Sequence, residues 1–416
     1  MSIHRVHSLL VKSIGAIIGL SGLIGCAANP IETAPPPAAT VGLTRTAPRS
    51  GASVDSAAPS LPTRTLPPPP ITVTPRPPTA TPSPTSEAAT QYYTAGLQAY
   101  ARRDYTAALL SFTQAIQFDP RNALLYWNRA QVYRAQSDLD GAIADFSTVI
   151  ELDPGNIAAW VNRGEAHAGR EEYALALRDL DQAISLSPNE PSVYVNRGRI
   201  VQASSTITAA IESFTRALSV DPNYAPAYYY RALAYVANRP ARQLAVDRRV
   251  IDDLSAVIAL EPENVDAYLA RADAYIAGSD FNAALTDLTR ATIVAPEDVT
   301  VYLKRGQLNE IRRDFKAALD DFDTILKLEP ESLEALIGRG QVYFDQARYD
   351  KAITDFTAAL RLDPKFINAY VQRARAYDKQ FKRDLAVADL KRALSLAEKP
   401  EDKATIQAEL DRLAKQ

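Results

Sequence analysis

Two consecutive stretches decide the fold of this chain: VTVYLKRGQLNEIRRDFKAALDDFDTILKLEPES at residues 299–332, and LEALIGRGQVYFDQARYDKAITDFTAALRLDPKF at residues 333–366. They align without a gap over 34 residues, and each has Arg at position 7, Gly at position 8, Ala at position 20 and Phe at position 24. Each also has a proline at position 32, Pro330 or Pro364, which cannot continue a helix and therefore ends the second of two helices. A repeat of this length is typical of helix pairs that stack into a solenoid.

The same spacing runs through about three-quarters of the chain. The prolines at position 32 lie 34 residues apart, with a single interval of 40. They are Pro120, Pro154, Pro188, Pro222, Pro262, Pro296, Pro330 and Pro364. Counting back gives nine repeats, which begin at Ala89, Ala123, Ile157, Pro191, Ala225, Val265, Val299, Leu333 and Ile367. The longer interval adds six residues to the fifth repeat, within Val236–Arg249, and we expect them to lengthen the turn between its two helices.

Four columns of the repeat have a physical role in a helix pair. Position 4 is a large side chain in every repeat, position 8 is Gly or Ala, position 20 is Ala except for Val250, and position 24 is Phe or Leu. Small residues that face each other allow two antiparallel helices to approach closely, and the large residues fill the remaining space. This pattern resembles the tetratricopeptide (TPR) repeat family over residues 89–400.

The resemblance implies an all-α fold, a right-handed solenoid of nine TPR helix-turn-helix repeats at residues 88–400. The tail, 401–416, has Ile406, Leu410 and Leu413 on one helical face. Because the last repeat of a solenoid needs a cover, this tail predicts a C-terminal capping helix.

The first 25 residues have the features of a lipoprotein signal peptide. Arg5 and Lys12 precede an apolar stretch, residues 13–25, that is too short to span a bilayer, which takes about 20 residues. The stretch ends Leu-Ile-Gly before Cys26, which resembles the lipobox of bacterial lipoproteins. The resemblance implies cleavage before Cys26, acylation of its thiol, and an extracytoplasmic location on the cell membrane or outer membrane. The alternative is an ordinary cleavage region that happens to end in a cysteine.

Residues 26–87 combine the candidate lipidated cysteine with a proline-rich segment. Sixteen of the 28 prolines fall between Pro30 and Pro84, and aromatic residues are absent from this part. Such a composition cannot bury enough surface to offset its ordering entropy, which predicts a disordered tether between the membrane and the repeats. A docking segment for proline-binding domains and an O-glycosylated stalk are the alternatives.

Composition argues against most kinds of catalytic or metal site. The chain has one Cys and three His, and two of these, His4 and His7, lie at the extreme N-terminus, so only His167 is left in the repeats. We expect His167 to be a core residue, because it stands in the aromatic column at position 11. Residues 88–416 carry 40 basic and 46 acidic side chains, which argues against nucleic-acid binding. The sequence predicts no metal and no cofactor.

Two charged columns face each other in the predicted hairpins. Position 7 is Arg in eight repeats: Arg129, Arg163, Arg197, Arg231, Arg271, Arg305, Arg339 and Arg373. Position 23 is Asp in seven: Asp145, Asp179, Asp253, Asp287, Asp321, Asp355 and Asp389. The first repeat lacks both charges, which favours an ion-pair ladder in the solenoid wall over an anion-binding stripe of arginines. Arg197 faces Ser213 and is expected to be the free arginine.

The resemblance implies that the first helices of the repeats line a concave groove, with positions 5, 6 and 9 facing it. An amide in this place can both donate to and accept from a peptide backbone, and an aromatic ring adds contact area. The candidate partner-binding residues are Trp127, Asn128, Val161, Asn162, Asn196, Tyr229 and Tyr230. The alternative is that position 5 only packs on neighbouring helices.

These observations predict a membrane-anchored scaffold that binds a protein or an extended peptide and catalyses no reaction. An envelope receptor for a solute or glycan is one alternative, although only six inserted residues are present to build its site. An enzyme on a TPR scaffold is a second, and it would need a further domain that the repeat pattern leaves no room for.

Overall fold

The computed structural model describes residues 84–204, 206–238 and 247–415. The signal peptide, Cys26 and most of the proline-rich segment lie outside these residues, as do residues 239–246 of the fifth-repeat insertion. The described residues form nineteen α-helices and no strand, so the predicted all-α fold is confirmed. No helix among them is long and apolar enough to cross a bilayer.

The helices group into two compact units. The N-terminal unit holds α1 (Pro84–Ala101), α2 (Tyr105–Phe118), α3 (Ala123–Ala135), α4 (Leu139–Leu152), α5 (Ile157–Gly169), α6 (Tyr173–Leu186), α7 (Pro191–Ser204), α8 (Ile207–Val220) and α9 (Ala225–Ala237). The C-terminal unit holds α10 (Arg248–Leu260), α11 (Val265–Ala277), α12 (Phe281–Val294), α13 (Val299–Ile311), α14 (Phe315–Leu328), α15 (Leu333–Asp345), α16 (Tyr349–Leu362), α17 (Ile367–Lys379), α18 (Arg383–Leu396) and α19 (Pro400–Ala414). The boundary between the units falls in the inserted residues of the fifth repeat.

In eight of the nine repeats the first helix begins at the residue that the repeat count predicts. The exception is α1, which begins at Pro84 rather than Ala89, so that residues 84–87 of the expected tether are helical. Proline is well suited to the first helical position, and Glu87 adds a negative charge in the first turn, where the helix dipole favours it.

Seven of the eight prolines at position 32 accept a hydrogen bond from the position-4 side chain of the following repeat; after Pro330 that position is Leu336, which has no donor. The Tyr126 hydroxyl donates to the Pro120 carbonyl at 3.2 Å, and the Trp160 indole donates to the Pro154 carbonyl at 3.0 Å. The same bond, six residues back, is made by Tyr194, Tyr228, Tyr268, Tyr302 and Tyr370. Position 4 therefore prefers Tyr or Trp over Phe because a polar ring atom fixes the loop before each first helix.

Within a hairpin the two helices meet across the small residues at positions 8 and 20. A Cβ added to Gly198 would come within 2.4 Å of the Phe214 ring, and one added to Gly340 within 2.6 Å of the Phe356 ring. Both rings are fully buried, and truncating such a ring to Ala typically costs about 3–5 kcal/mol. At these two glycines the ring opposite leaves no room for a larger residue.

The turn between the two helices of a hairpin uses a left-handed residue at position 15. The position is never glycine here, and the residues with positive φ are Arg103, Ser137, Glu171, Ser279, Arg313, Ala347 and Phe381. A side chain in this conformation costs roughly 1–2 kcal/mol relative to a right-handed one.

The capping helix α19 is also confirmed. Ile406 and Leu413 are buried against Leu390 and Ala397 of the last repeat. Arg412 adds a 2.7 Å ion pair to Asp378 on α17. The helix thus covers the apolar end of the C-terminal unit. The right-handed sense of the solenoid stays a prediction.

Candidate functional site

The arginine at position 7 binds three helices at once. In the second repeat, Arg129 donates to both oxygens of Asp145 on α4, at 2.8 Å each. Its third nitrogen donates at 3.0 Å to Thr113 Oγ1 on α2, in the preceding repeat. One guanidinium therefore closes its own hairpin and joins it to the neighbouring one.

The pattern recurs along the array with the same offset of sixteen residues on either side. Bidentate ion pairs with the Asp at position 23 are also made by Arg163, Arg271, Arg305, Arg339 and Arg373. Position 25 of the preceding repeat supplies Ser147, Ser255, Asp323 or Thr357 as the third partner, while Arg305 uses Thr292. The predicted ladder is confirmed, and these arginines are occupied by protein carboxylates rather than open to an anion.

The expectation that Arg197 is free is wrong. Its Nε donates to Asp181 at 2.8 Å and its Nη1 donates to Ser213 at 3.2 Å. In this repeat the carboxylate partner is not at position 23, which is Ser213, but at position 25 of the preceding repeat, which is Asp181. Position 25 was not predicted as a partner, although its column of Ser, Thr and Asp lies sixteen residues before each arginine.

Burial raises the pKa of some ladder carboxylates, because the charged form is poorly hydrated inside the protein. Asp287 is 0% exposed, and burial raises its pKa to about 7 although Arg271 opposes the shift. Burial likewise raises the pKa of Asp321. The hydrogen bonds that Arg339 donates to Asp355 and to Asp323 raise the pKa of its guanidinium, so that its charge is permanent.

The candidate partner-binding residues lie on four successive first helices, α3, α5, α7 and α9, which we call the N-terminal first-helix surface. On α3, Trp127 is partly buried and packs edge-on against Phe146 at 5.4 Å between ring centres. Asn128 is partly exposed, and its amide donates to the Leu124 carbonyl at 2.7 Å. Trp127 therefore has a packing role as well as an accessible part.

The asparagines on the next two helices are more enclosed. Asn162 is 9% exposed, and its amide donates to the Ala158 carbonyl at 2.7 Å. Its carbonyl accepts a hydrogen bond from Arg134, which also makes a 3.2 Å ion pair with Glu165. Asn196 is buried on α7. The amide of Asn162 is thus hydrogen-bonded within the unit. Arg134 and Glu165 are further polar residues of this surface, and they were not predicted from the sequence.

Val161 is not available to a partner, which corrects the expectation for this residue. It is 1% exposed and packs with Leu180, Val193 and Ile200. The neighbouring first helix covers position 5 here, as the packing alternative for that column anticipated.

Two tyrosines lie at the other end of the surface, on α9. Tyr229 and Tyr230 are partly exposed and meet edge to face at 5.6 Å between ring centres. Tyr230 also stacks on Phe214 at 6.0 Å, and the Arg199 guanidinium lies 5.2 Å from its ring centre. Arg199 occupies position 9, the column that the resemblance places next to positions 5 and 6.

The corresponding columns of the C-terminal unit carry charges. Lys304 at position 6 pairs with Asp273 at 2.6 Å. The side chain of Glu310, at position 12, makes no hydrogen bond or ion pair within the described part of the chain, and burial, with the nearby charge of Asp345, raises its pKa to about 8. Gln341 donates to Asp345 at 3.1 Å, while its own carbonyl oxygen is buried and accepts no hydrogen bond.

His167 lies in the aromatic column, largely buried, with Nδ1 at 2.7 Å from a Glu172 oxygen. It connects the end of α5 to the residue before α6. Within the described ranges, no group of His, Cys, Asp and Glu side chains is placed to hold a metal ion.

Sequence comparison identifies the repeats. Tetratricopeptide repeat family models match residues 93–157, 269–320 and 312–365, and a second such model matches residues 367–400. No curated protein matches the chain significantly.

Three solved structures illustrate the structural similarity. The chain is similar to yeast Tom70, with 15% identity, 79% of this chain and 96% of that chain covered, and a TM-score of 0.36. It is similar to residues 41 to the end of MamA from Desulfovibrio magneticus RS-1, with 17% identity, 43% of this chain and 98% of that chain covered, and a TM-score of 0.38. It is also similar to the Arabidopsis OM64 TPR domain, with 26% identity, 29% of this chain and 98% of that chain covered, and a TM-score of 0.27. Because the matched residues coincide with helical hairpins of the predicted period, the hairpins at residues 93–157, 269–365 and 367–400 are tetratricopeptide repeats.

Proposed function

We propose that this protein is a lipid-anchored, extracytoplasmic TPR scaffold that binds a protein through an extended peptide segment. The TPR repeats support the binding role, and the lipobox-like sequence before Cys26 supports the anchor. The proline-rich segment would hold the array away from the membrane, so that a partner can reach it from any side.

The observation that carries the binding role is the continuity of the N-terminal first-helix surface. Each of four successive first helices has a partly exposed side chain with a polar group at position 6 or 9: Asn128, Glu165, Arg199 and Tyr230. Aromatic residues lie at both ends of the surface, Trp127 on α3 and Tyr229 with Tyr230 on α9. At roughly 10 Å between neighbouring helices, the surface is about 30 Å long. An extended peptide of about nine residues has this length, since it spans roughly 3.3 Å per residue.

The chemistry of the surface favours a peptide backbone over a fixed small molecule. Asn128, Arg134 and Glu165 offer both donors and acceptors at partly exposed positions, and Tyr229 offers an apolar face with a hydroxyl. Such groups can bind main-chain amides while aromatic rings set the register. We propose no catalytic activity, because the ladder carboxylates are engaged by arginines and His167 is the only imidazole in the repeats.

Selection from a library of random displayed peptides on the full chain tests the binding role. Asn128→Ala and Tyr229→Ala should each weaken the selected peptides by about 1–2 kcal/mol. Lys304→Ala, at position 6 of the C-terminal unit, is the matched control and should leave affinity unchanged. Peptides that bind Asn128→Ala and Tyr229→Ala as well as the parent chain would contradict the proposed surface.

Membrane fractionation tests the anchor separately. A Cys26→Ser variant should lose acylation, measured by incorporation of labelled palmitate, and should leave the membrane fraction after a salt wash. A Ser13→Ala variant within the same apolar stretch is the control and should remain acylated. Continued labelling of the Cys26→Ser chain would overturn the anchor.

A further inference from the structure

We propose that the turn edge of repeats seven to nine binds a membrane surface that carries anionic lipid. This edge is formed by positions 13–19 of the three repeats, residues 311–317, 345–351 and 379–385, which link the two helices of each hairpin. The proposal does not depend on the lipid anchor or on the first-helix surface.

Phe381 is the first reason. Its side chain is 95% exposed at the tip of the last turn, and its backbone has φ of 60°. A bulky side chain is disfavoured in this conformation, which glycine would adopt without cost. Leu385, one turn along α18, is 48% exposed. Two large apolar side chains, four residues apart in the sequence, are therefore exposed at this turn and add little to the core.

The surrounding charge is the second reason. The edge carries eight basic and four acidic side chains, a net charge of +4. The basic ones are Arg312, Arg313, Lys316, Arg348, Lys351, Lys379, Lys382 and Arg383. The same positions of repeats one to three carry three basic and five acidic side chains, a net charge of −2. Positive charge is therefore concentrated at one end of an array whose repeats are acidic as a whole.

The third reason is that the charges next to Phe381 are not neutralised by the protein. Lys379 and Lys382 are exposed, and neither makes an ion pair within the described residues. Asp384 is the one carboxylate within residues 379–385, which therefore carry a net charge of +2. In the neighbouring turns, Asp314 accepts from the Ala317 backbone at 3.2 Å and Asp350 accepts from Gln380 at 2.8 Å, so neither is paired with the lysines. The Gln380–Asp350 bond also shows that the turns of repeats eight and nine are adjacent.

A lipid surface fits this edge better than a protein partner. Phe381 is 95% exposed, so neighbouring side chains cover almost none of its ring, whereas a bilayer interface can surround a protruding ring. Aromatic and Leu side chains flanked by Lys and Arg are the combination that favours the boundary between headgroups and acyl chains. Each cation near an anionic surface strengthens binding by roughly fivefold.

Site-specific labelling tests the proposal in the full chain. Cys26 is the only cysteine, so a Cys26→Ser background makes Phe381→Cys a unique site for an environment-sensitive fluorophore. Emission from position 381 should rise and shift to the blue with vesicles of equal parts phosphatidylglycerol and phosphatidylcholine. Glu171→Cys, at the same turn position of repeat three, is the matched control and should show no change. No change at position 381, an equal change at position 171, or an equal change with pure phosphatidylcholine would overturn the proposal.

Affinity measurements on the unlabelled Cys26→Ser chain give a second test. Phe381→Gly relieves the left-handed backbone, so its effect cannot come from unfolding, and it should weaken binding to the anionic vesicles about tenfold. Lys379→Gln with Lys382→Gln should weaken it by about tenfold or more. Ala347→Gly, in the adjacent turn, should bind as the parent does. If Phe381→Gly binds unchanged, or if polyglutamate binds this edge more tightly than the vesicles do, lipid is not the partner.

Discussion

Arg134 in the N-terminal unit and Glu310 in the C-terminal unit occupy the same position 12 of their repeats, with opposite consequences. Arg134 reaches the next repeat and binds Asn162 and Glu165. Glu310 makes no such bond, because position 6 of the next repeat is Gly338. A Cβ at Gly338 would come within 2.4 Å of the Phe322 ring, which explains why no longer side chain stands there.

The Arg–Asp ladder has nearly the same partners and distances in both units. Arg129 and Arg373 each hold an Asp of their own hairpin and a Thr of the preceding repeat, with distances between 2.8 and 3.0 Å. The columns that build the fold are thus shared, while positions 6, 9 and 12 differ. The ladder columns are therefore held to one chemistry by their partners in two repeats, while positions 6, 9 and 12 vary between the units.

The largest effect is expected from breaking a buried rung of the ladder. Arg271→Met should destabilise the C-terminal unit by about 3–5 kcal/mol, because it leaves Asp287 buried without its cation. Arg197→Met is the matched change in the N-terminal unit, and it should cost less than about 1 kcal/mol because Asp181 is 57% exposed and can be hydrated. Hydrogen exchange of the helices around each site measures both opening free energies.

Equal losses at the two sites would show that burial of the carboxylate does not govern the ladder. The double variant Arg271→Met with Asp287→Leu provides a further control, since replacing both partners by apolar groups removes the unpaired charge. It should recover most of the stability lost in Arg271→Met. Failure to recover would assign the loss to packing of the arginine chain rather than to the carboxylate.

The next effect separates Glu310 from its counterpart through pH. Its pKa is raised from 4.5 to about 8, so the folded unit binds more protons than the unfolded chain between these values. Stability of the C-terminal unit should therefore be greatest at low pH within this window and fall as pH rises toward 8. Glu310→Gln should remove this slope and stabilise the unit at pH 8 by about 2–4 kcal/mol, with little change near pH 5.

Glu165→Gln in the N-terminal unit is the matched control for this titration. Glu165 is paired with Arg134, so the substitution removes a partner and should not stabilise that unit at any pH. Denaturant unfolding as a function of pH measures the slope. A Glu310→Gln chain with the same pH dependence as the parent would show that Glu310 is ionised at little cost.

Much of the fold follows from the columns of the sequence, because each repeat solves the same packing problem. The helix starts at Ala123 and Val299 follow from counting back from a proline, and the Arg–Asp rungs follow from two columns of opposite charge. The bond from Tyr126 to the Pro120 carbonyl does not follow, since a backbone acceptor leaves no mark on the sequence. The left-handed turn at Phe381 is equally hidden, because the residue type argues against it.

The candidate site was harder to predict than the fold, because exposure depends on the neighbouring repeat. Val161 and Tyr229 share position 5, yet Val161 is buried under the next first helix while Tyr229 is partly exposed. Position 25 was missed because its role becomes visible only when the ladder is seen to cross between repeats. The pair between Arg197 and Asp181 of the preceding repeat is the clearest example.

The smallest effect is expected from giving Arg197 the carboxylate that its repeat lacks. In the C-terminal unit Arg339 holds two carboxylates, Asp323 at 2.6 Å and Asp355 at 2.8 Å. Ser213→Asp would place a carboxylate at position 23 beside Asp181 and reproduce this arrangement in the N-terminal unit. Since Arg197 already has one carboxylate and part of the gain is lost to dehydration, we expect stabilisation of about 0.5–1 kcal/mol. The gain should disappear when Arg197→Met is added, because the new carboxylate then has no cation. A stabilisation that survives in the Arg197→Met background would mean that the aspartate acts through the helix rather than the ladder, and the equivalence of the two units at position 7 would fail.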